Sequence, residues 1–400
     1  MYKINSQKNY IYFKYLFFLV FLFPFIMHIY WGVFDIVYAN NIVNIGFFLL
    51  LGMLIFNLCE SKVNVIKDKS LFLSIALFLL IFLINSFLLN DYKDLIKYTL
   101  YFIIFYLLLS KYLHDNYLIF YINIITTFVL INLILYFDCF VFPFQSFFIA
   151  KKLSLLTMDS SFLIRSDWEY SIPFYLIVFP INSLDEHQVG LFGIPRLFGM
   201  SEEPTLYSVV VLPTIIMALF FKKYIQGSIL IVALLLSSSF GAMGIGLVGV
   251  LFYIFYRYKL FIFFVLVALF FLGYFLDLYQ ILSTFSPRLK IYMGLVMNIF
   301  HLSSLSFLAN HNFNNIEELK LPSAFLSDTL KFGLLQGATY LFIFYVYIKF
   351  TLKTHDKLLF VFSVVSLLII NKSGEIISPL FLFYLSFIYT QYLKLNYNEN

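Results

Sequence analysis

The chain has 400 residues, of which 62% are hydrophobic and only 12% charged, with a formal net charge of +5. A soluble domain of this size is about one quarter charged, so this composition excludes an ordinary soluble fold and points into a lipid bilayer. A basic balance in a soluble chain would suggest nucleic acid; here Lys and Arg collecting on the cytoplasmic side of a membrane account for it, and no nucleic-acid partner is expected.

Continuous apolar runs, and not ten-residue alternation, set an all-α, polytopic expectation and argue against a β-barrel. In chain order the candidate spans are 12–33, 42–58, 70–89, 95–113, 117–137, 205–221, 224–238, 240–256, 259–276, 330–348, 358–370 and 378–393. The first follows Lys3, Lys8 and Lys14, has no small-residue cleavage site, and is read as a retained helix and not a signal peptide. The stretch 224–256 has Lys222 and Lys223 before it and Arg257 and Lys259 after it, with Ser237-Ser238-Ser239-Phe240-Gly241 at its centre. Basic residues at both ends require it to go out and return, as two short helices or a re-entrant hairpin. Span 358–370 is also short.

Lys62, Lys67, Lys69, Lys111, Lys222, Lys223, Arg257, Lys259, Lys349, Lys353, Lys357 and Lys394 fall on one side of this arrangement, and few basic residues lie in the short loops of the other. That asymmetry predicts about twelve spans in a single transmembrane domain covering 1–400, with both termini cytoplasmic. Two large loops, 138–204 and 277–329, then face outward, and loops of this length usually carry function. Within the first, Ser171–Pro180 is apolar but too short to span, and is expected to lie at the interface or pack on the helices. Gly333 and Gly337, four apart, suggest close helix packing.

No Walker loop, dinucleotide fingerprint or Cys/His cluster occurs, so neither a nucleotide, a cofactor nor a metal is expected, and Cys59 and Cys139 fall on opposite faces. Group transfer on the outer side must therefore draw on an activated donor already in the membrane, such as a polyprenyl-diphosphate-linked sugar. That chemistry asks for cations to hold a diphosphate and a base to take a proton from an acceptor hydroxyl. Arg196 is the first candidate, since a guanidinium grips phosphate oxygens bidentately and stabilises charge growing on the leaving group. The plainer reading is headgroup anchoring or pairing with Glu202 or Glu203. Gly199 and Pro204 suggest a fixed loop shape, Pro204 also suits the first position of a helix, and Glu203 either orients Arg196 or acts as a base. Arg288, opening the second loop, offers a second cation or an interfacial anchor. His311 is a candidate general base or a solvated loop histidine. His28, His114, His187, His301 and His355 lack a supporting motif or lie on the wrong side. Asp138, Asp328, Lys331 and Glu375 sit near outer boundaries, with none placed mid-bilayer as an ion pathway would require.

Arg196-x-x-Gly199-x-x-x-Glu203-Pro204 before a span resembles the R-x-x-G-x-x-x-E-P element of bacterial O-antigen polymerases. Leu236-Ser-Ser-Ser-Phe-Gly241 is similar to the serine-containing break between short helices in that family and in the related ligases. Arg288 and then His311-Asn312 leading to Gly333-Leu-Leu follow in the family's order, although the break lacks its frequent Ser-Arg. The resemblance implies a membrane-embedded glycosyltransferase of the bacterial cytoplasmic (inner) membrane. Its substrate would be an undecaprenyl-diphosphate-linked glycan, presented in membrane lipid, and a chain-length regulator is a candidate partner. Arg196, Arg288, Gly199 and Pro204 would bind substrate, and Arg196, Glu203 and His311 would be catalytic. A ligase acting on lipid A–core and an exporter of lipid-linked sugars are the alternatives, the latter disfavoured because no internal repeat is evident.

Overall fold

Most of the long apolar runs that the computed structural model describes are helical. The described residues are 69–89, 92, 95–96, 98–99, 101–102, 115–141, 148–152, 169–173, 179–180, 197, 204–258, 307–308, 324–371 and 379–397. The helices are α1 (Lys69–Leu89), α2 (Asp115–Val141), α3 (Pro204–Phe220), α4 (Tyr224–Ser237), α5 (Phe240–Ile254), α6 (Ala324–Phe332), α7 (Leu334–Thr354), α8 (Lys357–Ile370) and α9 (Pro379–Tyr397). The expected spans 12–33, 42–58 and 259–276 lie outside the described residues, and 95–113 is helical where described.

Among the described residues two helices, α1 and α7, are long and apolar enough to cross a membrane. The expected out-and-back stretch is two helices, α4 and α5, broken at Ser238 in the left-handed conformation (φ 48°). Expected span 330–348 differs. The helix begins earlier, at Ala324, and breaks at Gly333 before resuming as α7, because Gly333 holds φ +89°. The all-helical expectation also needs one amendment: strands β1 (Phe148–Lys152), β2 (Glu169–Pro173) and β3 (Phe179–Pro180) pair antiparallel in the order β1-β2-β3. Phe148 faces Pro173, Lys152 faces Glu169, and Tyr170 faces Pro180. The apolar segment expected at the interface thus contributes to a sheet, where its own prolines close the ends of β2 and β3, since proline cannot donate to a ladder.

Two compact units divide the chain. The described part of the first falls within Ile103–Gly244 and Leu382–Thr390. Here α3 packs on α2 and α4, Tyr121 lies against Phe383, and the Tyr384 hydroxyl donates to the Val209 carbonyl at 3.1 Å. The second unit draws on Lys67–Phe102, Ile245–Phe381 and Gln391–Asn400. In it α1 runs antiparallel to α7: Lys349 Nζ lies 3.5 Å from Ser70 Oγ, the Phe78 ring 5.4 Å from Tyr340, and Phe82 5.0 Å from Phe332. Lys69, Lys349 and Lys353 consequently share one end of this helix pair, while Asn85 and Ser86 occupy the other.

The faces of α1 reverse the soluble rule. Ser74, Asn85 and Ser86 are buried along with Leu71, Phe78 and Phe82, while Phe72, Leu73, Leu80 and Phe87 stand 51–66% exposed. On α4 Ile225 and Leu235 likewise stand exposed while Ser237 is buried, and on α5 Leu247 and Ile254 stand exposed.

The turn from α7 to α8 is fixed by Asp356, whose carboxylate accepts the Leu359 N–H at 3.0 Å. Removing this cap with Asp356→Ala is expected to cost about 1 kcal/mol. A thermal melt of the two proteins in the same lipid nanodisc would register it as a lower midpoint.

Candidate functional site

Helix ends leave carbonyls without intrahelical partners, and the end of α4 shows where three of them go. Ser237 Oγ donates to the Leu234 carbonyl at 2.7 Å, and the Ser238 N–H donates to Leu235 at 3.0 Å. The Leu236 carbonyl accepts the N–H of Leu197 at 2.9 Å. Leu197 is fully buried, so this bond is shielded from water. It fastens Leu197, the chain neighbour of Arg196, onto the serine break about 40 positions further along the sequence.

Arg196, Gly199 and Glu203 lie outside the described residues. Pro204 is the first residue of α3, as its fixed φ and missing N–H favour. One turn further on, Tyr207 is buried, and its phenol faces the buried Asn132 amide of α2 without closing a well-formed hydrogen bond. The serines of the break are committed locally. Ser237 and Ser238 both donate to carbonyls of their own helix, so their first role is to finish α4.

A second backbone clasp lies in the other unit. The N–H of Leu335 donates to the Phe307 carbonyl at 3.2 Å, across the break at Gly333. A Cβ at Gly333 would stand 2.6 Å from the Leu308 carbonyl carbon and 2.8 Å from its Cα, so only glycine admits this approach. His311 and Arg288 lie outside the described residues. His311 follows Leu308 by three positions in the sequence. Gly337, by contrast, meets the Thr329 side chain of α6, the close helix packing expected of the glycine pair.

Around Gly333 the structure gathers polar groups for which the sequence reading assigned no chemistry. The Asn85 amide donates to the Phe332 carbonyl at 2.8 Å. The Tyr340 hydroxyl donates to Asp328 Oδ2 at 2.8 Å. Gln336 is fully buried with neither amide atom hydrogen-bonded, and Ser86 Oγ is likewise buried and unpaired. A signal for them did exist: Asn85-Ser86 and Gln336 interrupt otherwise apolar runs. Among the described residues no cluster of three or more His, Cys, Asp or Glu could hold a metal. Compared with protein-family models, curated proteins and solved structures, the chain has no match.

Proposed function

We propose that this chain is a polytopic glycosyltransferase of the bacterial cytoplasmic membrane. It would join undecaprenyl-diphosphate-linked oligosaccharide repeat units on the outer face, as an O-antigen-like polymerase. The observation that carries the reading is the bond from Leu197 to Leu236, which fastens the Arg196 loop to the serine break. Those are the two elements whose order along the chain resembles the polymerase family. In this reading Arg196 and Arg288 supply cations to the diphosphates, Glu203 braces Arg196, and His311 or a carboxylate takes the acceptor proton.

The membrane setting is supported by the reversed faces of α1 and by the outward apolar residues of α4 and α5. Large apolar side chains pointing outward while serine and asparagine turn inward suit lipid, which has no water to receive those polar groups. The gathering of Lys69, Lys349 and Lys353 at one end of the α1–α7 pair suits a cytoplasmic end, with Asn85 and Gln336 outward and both chain termini inside.

Deleting the gene and resolving cell-surface lipopolysaccharide on a gel tests this reading. A polymerase predicts that the ladder collapses to core plus one repeat, with a chain-length regulator acting only when this protein is present. Loss of every repeat, with lipid-linked polymer still accumulating outside, would make the protein a ligase instead. Lipid-linked units trapped on the inner leaflet would make it an exporter. An unchanged ladder would remove O-antigen from the reading.

A further inference from the structure

The geometry points to the Gly333 end of α1, α6 and α7 as a carbohydrate subsite, in which Asp328 accepts the proton of the acceptor hydroxyl and Gln336 pairs with hydroxyls of the same sugar. The inference rests on the glycosyltransferase reading and assigns its acceptor side. Three observations converge there. Asp328 is half-buried on α6, and the Tyr340 hydroxyl donates to its Oδ2 at 2.8 Å. That bond fixes the orientation of the carboxylate. Gln336 precedes Tyr340 by one helical turn, so the two lie on the same face of α7. Its amide is fully buried with oxygen and nitrogen both unpaired. An orphaned buried amide is costly, and natural proteins rarely keep one without a use. A sugar hydroxyl, donor and acceptor at once, matches an amide that offers both. Finally, Asn85 of α1 holds the Phe332 carbonyl at 2.8 Å, and the buried rings of Phe82 and Phe332 lie 5.0 Å apart beside it, fixing the backbone at this break.

The step balances without a co-reactant. The acceptor oxygen forms a bond to the donor's anomeric carbon as the anomeric carbon–phosphate oxygen bond breaks. The diphosphate leaves with that electron pair, and the hydroxyl proton passes to the Asp328 carboxylate and then to water.

The test uses the full chain in nanodiscs, with lipid-linked repeat units extracted from cells lacking the gene. Asp328→Asn, which keeps the shape and the Tyr340 contact, is expected to slow polymerisation by about 10²-fold or more while donor binding stays unchanged. Gln336→Leu is expected to raise the melting temperature, because an unpaired amide is removed, and to raise the acceptor KM about tenfold. Polymerisation by Asp328→Asn within twofold of wild type would overturn the assignment. So would Gln336→Leu with an unchanged acceptor KM, or with a lowered melting temperature. Wild-type protein that neither binds nor joins the units would sink the glycosyltransferase reading, and the subsite with it. Wild-type activity beside unaffected variants would sink the subsite alone.

Discussion

Arg196→Ala is expected to abolish long polymer while leaving the protein folded and present at its normal level. The proposed role is to hold charge that grows on a diphosphate as its bond to the sugar breaks. Removing one such group typically costs about 10²–10³ in rate. The anchor beside it should survive: the Leu197 N–H reaches the Leu236 carbonyl through the backbone, and Leu197 is buried whatever side chain stands at 196. This separates the charge from the scaffold. Arg196→Lys is informative because a lysine keeps the charge but loses the planar fork, so partial rescue, with shorter chains than wild type, is expected. Complementing the deletion strain with each variant and reading the glycan ladder at matched protein levels checks both. Full-length ladders from Arg196→Ala would remove Arg196 from the site and leave headgroup anchoring as its role.

Much of the helical pattern was legible in advance. The edges of α1, α3 and α9 fall within a few positions of runs visible as hydropathy, because a run that is apolar on every face stands out in hydropathy whichever face it buries. The break at Ser238 was legible for a different reason: basic residues on both flanks demanded a turn, and three serines marked where it could sit. The break at Gly333 was not. Apolar residues flank it on both sides, while α6 carries Asp328 and Lys331 and reads as loop. The strands within 148–180 escaped because they are short and lack a clean two-residue alternation. The polar groups at Asn85, Ser86 and Gln336 escaped for the opposite reason. Hydropathy averages over a span, and one amide in twenty apolar residues does not change the average. Which way that amide faces is decided by the neighbouring helix, and α7 lies some 250 positions from α1 in sequence. The sequence singled out Arg196, Glu203, Arg288 and His311 by charge and spacing, but long-range packing decides what stands beside the anchors on either side of them.

Gly333→Ala is the harshest single change expected in the second unit. The residue holds φ +89° and ψ 169°, a region essentially reserved for glycine, and forcing an L-residue there costs about 1–3 kcal/mol before any contact is counted. The added methyl would also meet backbone atoms of Leu308 at 2.6–2.8 Å. A side chain could rotate away; a backbone cannot, so the segment at Phe307–Leu308 must move or the helix break must reshape. Either response weakens the bond from Leu335 to Phe307, a residue four positions before His311 in the sequence. The expected result is a lower melting temperature together with loss of long polymer. Gly337→Ala provides the control. Its methyl meets Thr329 Oγ1 at 2.8 Å and Cγ2 at 2.9 Å, so the conflict is with one side chain. Thr329→Ala should therefore restore stability to Gly337→Ala, whereas no single side-chain truncation should restore Gly333→Ala. Melting curves of these variants in nanodiscs, read beside the glycan ladder, distinguish a backbone clasp from ordinary helix packing. Rescue of Gly333→Ala by trimming a side chain would mean that the clasp at Leu308 does not set the position of the His311 loop.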